Sequence, residues 1–70
     1  MTKLPRLTAK EIISVLQKHG FVFARQSGSH KIYKNSKNKH VIVPLHAEKI
    51  LHPKILKNIL EDADISAEEL

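Results

Sequence analysis

The sequence predicts one α+β domain in which a helix, three antiparallel strands and a second helix follow in that order. Three observations predict it. Apolar residues recur at helical spacing towards both ends of the chain, three runs rich in β-branched and aromatic residues lie between them, and short polar turns join these runs. Connections this short favour antiparallel hairpins over crossovers. The expected architecture is a three-stranded antiparallel sheet with both helices on one face.

The first helix is expected from about Ala9 to His19. Thr8 and Glu11 form a capping-box pattern, in which a threonine cap is followed three residues later by a glutamate. Gly20 lies where a left-handed C-terminal cap is expected. The apolar positions of one helical face are Ala9, Ile12, Ile13 and Leu16.

Three strands are expected in the middle of the chain. Their ranges are Phe21–Gln26, His30–Asn35 and His40–Leu45. A Ser-Gly-Ser turn separates the first two, a polar Ser-Lys-Asn-Lys turn separates the last two, and Pro44, which cannot donate to a ladder, closes the third. Phe21 and Phe23 alternate with Val22, and this alternation predicts that both phenylalanines lie in the core.

The facing of the second strand is left open by its sequence. Ile32 and Tyr33 are adjacent, so each face of the sheet receives one large side chain. If Ile32 packs under the helices, His30 and Lys34 lie on its side and reach solvent only because they are at the strand ends. If Tyr33 packs inward, His30 lies on the open face.

The second helix is expected to begin near Pro53, because proline suits the first helical turn. Ser66–Glu69 repeats the capping-box pattern and predicts a last short turn. The apolar faces of both helices are expected to form the core, because so small a domain has few other residues to bury. The apolar positions of the second helix are Ile55, Leu56, Ile59, Leu60 and Ala63.

The length of the chain, 70 residues, predicts a single domain over residues 1–70. A chain this short buries only about 60% of its unfolded surface, so an open groove is expected in place of a deep substrate pocket. The sequence has no cysteine, which excludes disulfides, thiolate metal sites and cysteine nucleophiles. No apolar stretch is long enough for a membrane helix. A cytoplasmic location is expected.

Charge is unevenly distributed along the sequence. Residues 1–60 contain all 12 Lys and Arg residues and only two acids, whereas residues 61–70 contain five acids and no Lys or Arg. A body this basic attracts polyanions, of which RNA and DNA are the commonest. The alternative is a charged surface that only keeps the protein in solution.

The candidate site is the turn before the second strand. Gly28 permits backbone conformations closed to other residues, and the N–H and hydroxyl groups of Gly28 and Ser29 can hold a phosphate oxygen. His30 follows directly, and an imidazole can transfer protons. The alternative is a surface histidine at an ordinary strand start. The surrounding cations are Arg25, Lys31, Lys34, Lys37 and Lys39, with no acid between residues 12 and 47.

RNA suits such a site because its 2′-OH is an internal nucleophile for the adjacent phosphate. Histidine and lysine can then supply the remaining proton transfers and charge neutralisation without metal or cofactor. Tyr33 is a candidate to stack on a base or to donate to a phosphate; the alternative is that it packs with its strand neighbours. Because the chain has one tyrosine and no tryptophan, rows of stacked bases are not expected.

The other histidines are candidates for proton transfer or for metal binding. His46 follows the Val-Pro-Leu run at the end of the third strand and is a candidate second proton-transfer group, either at the same sheet edge as His30 or remote from it. No two histidines are three or four residues apart, and there is no cysteine. No metal site is expected.

Three segments, "GSHKIYKN", "VIVPLH" and "LHPKILKNILEDADIS", together resemble the HicA (YcfA-like) toxins of bacterial type II toxin–antitoxin systems. The similarity runs from "LTAKEIISVLQKHGF" to "ADIS" and so covers almost the whole chain. The Gly28-Ser29-His30 element and the Val43–His46 element are specific jointly, although either alone would be weak.

The resemblance implies a fold like that of double-stranded-RNA-binding domains and the activity of an mRNA interferase. It implies that His30, the histidine of the Gly-Ser-His element, is catalytic, and that a cognate HicB antitoxin binds the toxin and blocks its active surface. The expected protein is a metal-independent endoribonuclease toxin that needs no cofactor and is monomeric when free. Its expected RNA contacts are Arg25, Gly28, Ser29, Lys31, Tyr33 and Lys34. The alternative is a non-catalytic RNA-binding module of the same fold.

Overall fold

The computed structural model describes residues 4–45 and 49–70 and has the predicted order of helices and strands. Helix and strand ends differ from the predicted ones by at most one residue, and the α-β-β-β-α prediction is confirmed. The elements are α1 (Ala9–Lys18), β1 (Val22–Ser27), β2 (His30–Lys34), β3 (His40–Pro44), α2 (Pro53–Ala63) and a short 3₁₀ turn, Ala67–Glu69.

The three strands form one antiparallel sheet in the order β1-β2-β3, so the strand that begins with His30 is central. Asn35 holds the turn between β2 and β3. Its side-chain Oδ1 accepts hydrogen bonds from the backbone N–H groups of Lys37 and Lys39, at 3.1 and 2.9 Å. A side chain that bonds its own turn in this way explains why the polar segment reverses the chain.

Helix α1 begins and ends as its sequence predicts. The hydroxyl of Thr8 accepts from the N–H of Glu11 at 3.3 Å, and the Glu11 carboxylate accepts from the N–H of Thr8 at 3.0 Å, which completes the capping box. Gly20 has φ +87°, and the N–H of Phe21 donates to the carbonyl of Leu16 at 3.0 Å. These are the features of a Schellman cap. Phe21 therefore belongs to the helix cap and lies just outside β1.

Helix α2 begins at Pro53, as predicted. His52 caps it, because its ring Nδ1 accepts from the N–H of Lys54 at 3.1 Å. The segment before this cap is tied to the start of α1: Ile50 bridges Thr8, and the N–H of Leu51 donates to the carbonyl of Leu7 at 2.8 Å. No helix in residues 4–45 and 49–70 has the length and apolar character needed to cross a bilayer.

Both helices pack on one face of the sheet, mainly against β3. The helix-facing positions of the sheet include Tyr33, Val41 and Val43, all buried, whereas Ile42 on the opposite face is 54% exposed. Tyr33 is only 3% exposed, and its cross-strand partner is Val41. Of the two facings that the sequence left open, the structure has Tyr33 inward. Residues that alternate with it, including His30, therefore lie on the open face.

The prediction that Phe23 lies in the core is wrong, although Phe21 is buried as predicted. The Phe23 side chain is 52% exposed. The helices lie over β3, whereas β1 is the far edge strand, and all six of its residues are exposed. Phe23 does face the helix side, but it lies beyond the area that the helices cover.

Tyr33 gives the fold a measurable dependence on pH. Burial raises the pKa of Tyr33 above its ordinary value of about 10, because desolvation disfavours the phenolate. The folded protein thus holds the phenol proton more tightly than the unfolded chain. This stabilisation is complete below about pH 10 and is lost as pH rises through the folded-state pKa.

We therefore expect the free energy of unfolding, measured by urea titration, to fall more steeply above about pH 10 in the native protein than in Tyr33→Phe. The lysines titrate in both proteins, so the difference between the two curves isolates the phenol. Parallel curves would contradict the burial of an ionisable phenol.

Candidate active site

A tight turn sets the position of His30. Ser27 and His30 are direct partners across β1 and β2, so Gly28 and Ser29 form a two-residue hairpin loop. Gly28 has φ +57°, whereas Ser29 does not have a positive φ. A positive φ at the first loop position alone is the pattern of a type II′ turn, which suits the twist of the strands and favours glycine there.

Both carbonyls of this loop accept hydrogen bonds from the protein. The Gln26 side-chain amide donates to the carbonyl of Gly28 at 3.0 Å, and the backbone N–H of Leu45 donates to the carbonyl of Ser29 at 2.6 Å. The loop is thereby joined to β1 on one side and to the end of β3 on the other. His30 therefore starts the central strand from a fixed position.

The His30 side chain is exposed and lies between Ser27 on β1 and Pro44 on β3. The histidine rings with hydrogen bonds in the described part of the chain are those of His19 and His52. The ring nitrogens of His30 have no partner among the described residues. They are therefore open to a ligand that approaches the sheet from its open face.

A β-bulge in β1 brings Arg25 onto the face of His30. Phe23 pairs with Tyr33, whereas Arg25 pairs with Ile32, so Ala24 is an extra residue on this strand. Without it, Phe23 and Arg25 would lie on the same face, because they are two residues apart. With it, Arg25 lies opposite Ile32 on the open face.

The predicted RNA contacts therefore divide between the two faces. Arg25 is a diagonal neighbour of His30, which typically places such residues about 7–8 Å apart. Lys34 also lies on the open face, about 13 Å farther along β2. Lys31 is on the helix side, where its Nζ is 5.9 Å from the centroid of the Phe23 ring.

Tyr33 does not reach the surface on which it was expected to bind RNA. Its ring faces the helices, is almost fully buried and meets the Phe23 ring edge-on, with centroids 5.9 Å apart. A base or phosphate has no access to a side chain in this position. The alternative of a packing role fits this burial, and we remove Tyr33 from the set of candidate RNA contacts.

His46, the candidate second proton-transfer group, lies outside the described residues. Its role stays a prediction.

Charge separates the two ends of the sheet. The three strands and their turns contain five Lys and Arg residues and no acid. The acidic C-terminal residues approach the other end, where Asp64 Oδ2 is 3.7 Å from Lys39 Nζ and Glu69 Oε2 is 3.5 Å from His19 Nε2. A cavity of about 270 Å³ also lies there. Both of these acid pairs therefore lie at the end of the sheet away from His30.

Ser27 is a neighbour of His30 that was absent from the predicted contact set. It pairs directly with His30 and lies on the same face. The turn signal could have identified it, because a two-residue hairpin loop fixes the residues on either side as partners. Its hydroxyl can donate to a phosphate oxygen or accept from the imidazole.

Metal ligands are not concentrated at this site. Across the described ranges, no three His, Asp or Glu side chains lie close enough together to hold one metal ion. The expectation of a metal-free reaction stays a prediction, because ligand clustering alone does not test it.

The architecture and the acid-free sheet define a small α+β protein with an open, basic sheet face and an exposed histidine on it. The model of the family described as HicA toxin of bacterial toxin-antitoxin matches residues 9–65, and the chain belongs to this family. The match runs from the first residue of α1 to Ile65, just beyond α2. The protein is therefore the toxin of a toxin–antitoxin system and has a cognate antitoxin as its partner. A comparison with curated proteins gives no match.

Substitution of Gly28 tests the turn that positions His30. A Cβ at Gly28 would meet no heavy atom within 4 Å, so the cost of Gly28→Ala is backbone strain alone. We expect Gly28→Ala to lower the free energy of unfolding by about 1–2 kcal/mol in urea titrations. Ser29→Ala, in the same loop without a positive φ, should change it by less than about 0.5 kcal/mol. Equal effects of the two variants would argue against a loop that requires glycine.

Proposed function

We propose that this toxin is a metal-independent endoribonuclease that cleaves mRNA and that His30 is its catalytic residue. Membership of the HicA family supports the toxin class. The observation that carries the proposal is the place of His30: it is exposed, starts from a glycine turn and lies on a basic face without acids. Such a face attracts the phosphodiester backbone and presents an imidazole to it.

The reaction begins with proton removal from the ribose 2′-OH by an unprotonated ring nitrogen of His30. The 2′-oxygen forms a bond to the adjacent phosphorus, and the bond from phosphorus to the 5′-oxygen breaks. The leaving 5′-oxygen takes a proton, so the products are a 2′,3′-cyclic phosphate and a 5′-hydroxyl. His30 can donate the proton it accepted, or His46 supplies a second one.

Charge on the phosphorane is neutralised by cations of the same face. Arg25 is near enough to contact the scissile phosphate or its neighbour, and Lys34 suits a phosphate farther along the strand. Gly28 and Ser29 form the cradle beside the imidazole, with N–H and hydroxyl groups as donors. Lys31, on the other face, contacts the backbone where it leaves the site. These contacts confer affinity without reading sequence.

We propose that the toxin cleaves mRNA in the cytoplasm and that the free toxin is a monomer. The family implies an antitoxin of the HicB type. An antitoxin with an acidic or shape-matched surface would occupy the same phosphate-attracting face and so exclude RNA. Inhibition then needs no change in the toxin fold.

His30→Ala tests the catalytic assignment. We expect this variant to keep its fold and its affinity for RNA and to lose cleavage of a defined transcript by about 10²–10⁴-fold, because general acid–base catalysis typically contributes that much. His40→Ala is the matched control, since His40 is an exposed histidine on the same face, opposite Lys34 at the far end of β2. It should cleave at nearly the native rate.

The outcomes distinguish the two function classes. Native cleavage by His30→Ala would remove His30 from the mechanism. If the native protein itself binds RNA with steep salt dependence but yields no product at any incubation time, the chain is a non-catalytic RNA-binding module.

Methylation of the 2′-oxygens tests internal attack. RNA with 2′-O-methyl groups lacks the proton and the nucleophile that the mechanism requires, so it should bind and remain intact in gels that resolve the cleavage products. The unmodified RNA of the same sequence should be cut in the presence of a chelator, with cyclic-phosphate ends. Cleavage of the methylated RNA, or dependence on added metal, would contradict the mechanism.

A further inference from the structure

Phe23 is an exposed aromatic residue on an edge strand, and the described residues leave about half of its surface uncovered. The residue is 52% exposed, and it lies on the helix side of β1, beyond the area covered by α1 and α2. One of its contacts is the edge-on packing against Tyr33, which holds the ring in place. A large apolar surface left in water favours a ligand that can cover it.

The charges around the ring indicate the kind of ligand. Lys31 Nζ lies 5.9 Å from the centroid of the Phe23 ring, and no strand of the sheet contains an acid. Arg25 follows two positions along the same strand, with its side on the open face because of the bulge. A ring with one cation beside it and another at the same strand edge suits a flat group that carries negative charge, and a nucleobase with its phosphate has both properties.

The place of Phe23 on an edge strand links it to the candidate active site. Because no strand in the described part of the chain lies on the outer side of β1, a flexible single strand of RNA can pass from His30 on the open face, over the edge at Arg25, to the ring. A duplex is too stiff to make this turn over so few residues. The arrangement therefore selects single-stranded RNA.

We propose that Phe23 is a stacking site for one nucleobase of single-stranded RNA, with Lys31 on the adjoining phosphate. This inference rests on the proposed function, because it adds a base contact to the same RNA. One stacked base near the scissile phosphate holds the strand in register and makes binding sensitive to the nucleotide at that position. It is a single platform, unlike a sheet with rows of stacked bases.

The test uses the full-length protein with His30→Ala, so that RNA is not cut during the measurement. Fluorescence anisotropy with a short end-labelled single-stranded RNA measures Kd in the presence of a chelator. Phe23→Leu keeps an apolar side chain and removes the ring, and we expect it to weaken binding by about 5–100-fold, the range for one base–aromatic stack. Phe23→Trp should bind at least as tightly as the native ring.

Ile50→Ala is the matched control for loss of exposed apolar surface. Ile50 is 51% exposed, close to the value for Phe23, and lies beside Thr8, away from the sheet. Ile50→Ala should leave Kd unchanged.

A series of RNAs, each with one abasic position, completes the test. One abasic RNA should bind the protein with native Phe23 more weakly than the intact RNA does. The Phe23→Leu protein should bind that abasic RNA and the intact RNA equally well.

The failures can be told apart. If His30→Ala with native Phe23 binds no RNA, and the native protein cuts none, the proposed function falls and the stack with it. If His30→Ala with native Phe23 binds RNA and the Phe23→Leu variant binds the same RNA with equal affinity, only the stacking proposal is wrong. If Phe23→Leu leaves RNA affinity unchanged but weakens binding of the cognate antitoxin, the ring belongs to a protein interface and the proposal is overturned.

Discussion

The rest of the structure depends on the burial of one face of a three-stranded sheet. Tyr33, Val41 and Val43 point towards two amphipathic helices, and this burial fixes the register of β2 against β3, because a slip by one residue would exchange the two faces. Once Tyr33 is inside, the side chains that alternate with it must face outward. The exposure of His30 thus follows from how the core is packed.

The second constraint is the glycine turn that begins the central strand. A loop of two residues, with one positive φ and both carbonyls hydrogen-bonded, leaves little freedom at the start of β2. Proton transfer needs donor and acceptor within hydrogen-bond distance, so a histidine held this way is better suited to catalysis than one on a long loop. The proposed chemistry therefore uses a restrained part of an otherwise open surface.

The distribution of charge complements this arrangement. The sheet is free of acids, while Asp64 and Glu69 pair with Lys39 and His19 at the end away from His30. These exposed pairs contribute little to stability, but they reduce the positive potential at that end. The family membership implies a cognate antitoxin as the partner of this toxin. Under the proposed function, RNA and the antitoxin compete for the open face of the sheet.

The sequence by itself determined the helices and strands, because their ends are set by residues close together along the chain. The Thr8–Glu11 box, the cap at Gly20 and Pro53 at the start of α2 depend on residues a few positions apart, and the short turns leave little choice but antiparallel hairpins. The Gly28-Ser29-His30 element and the acid-free stretch around it could likewise be identified from the sequence. Tertiary structure alone decided which face β2 buries, because adjacent large residues, Ile32 and Tyr33, satisfy either facing. It also decided that Ala24 bulges and that Phe23 stays exposed, since both depend on how β1 pairs with β2 and on how far the helices reach across the sheet.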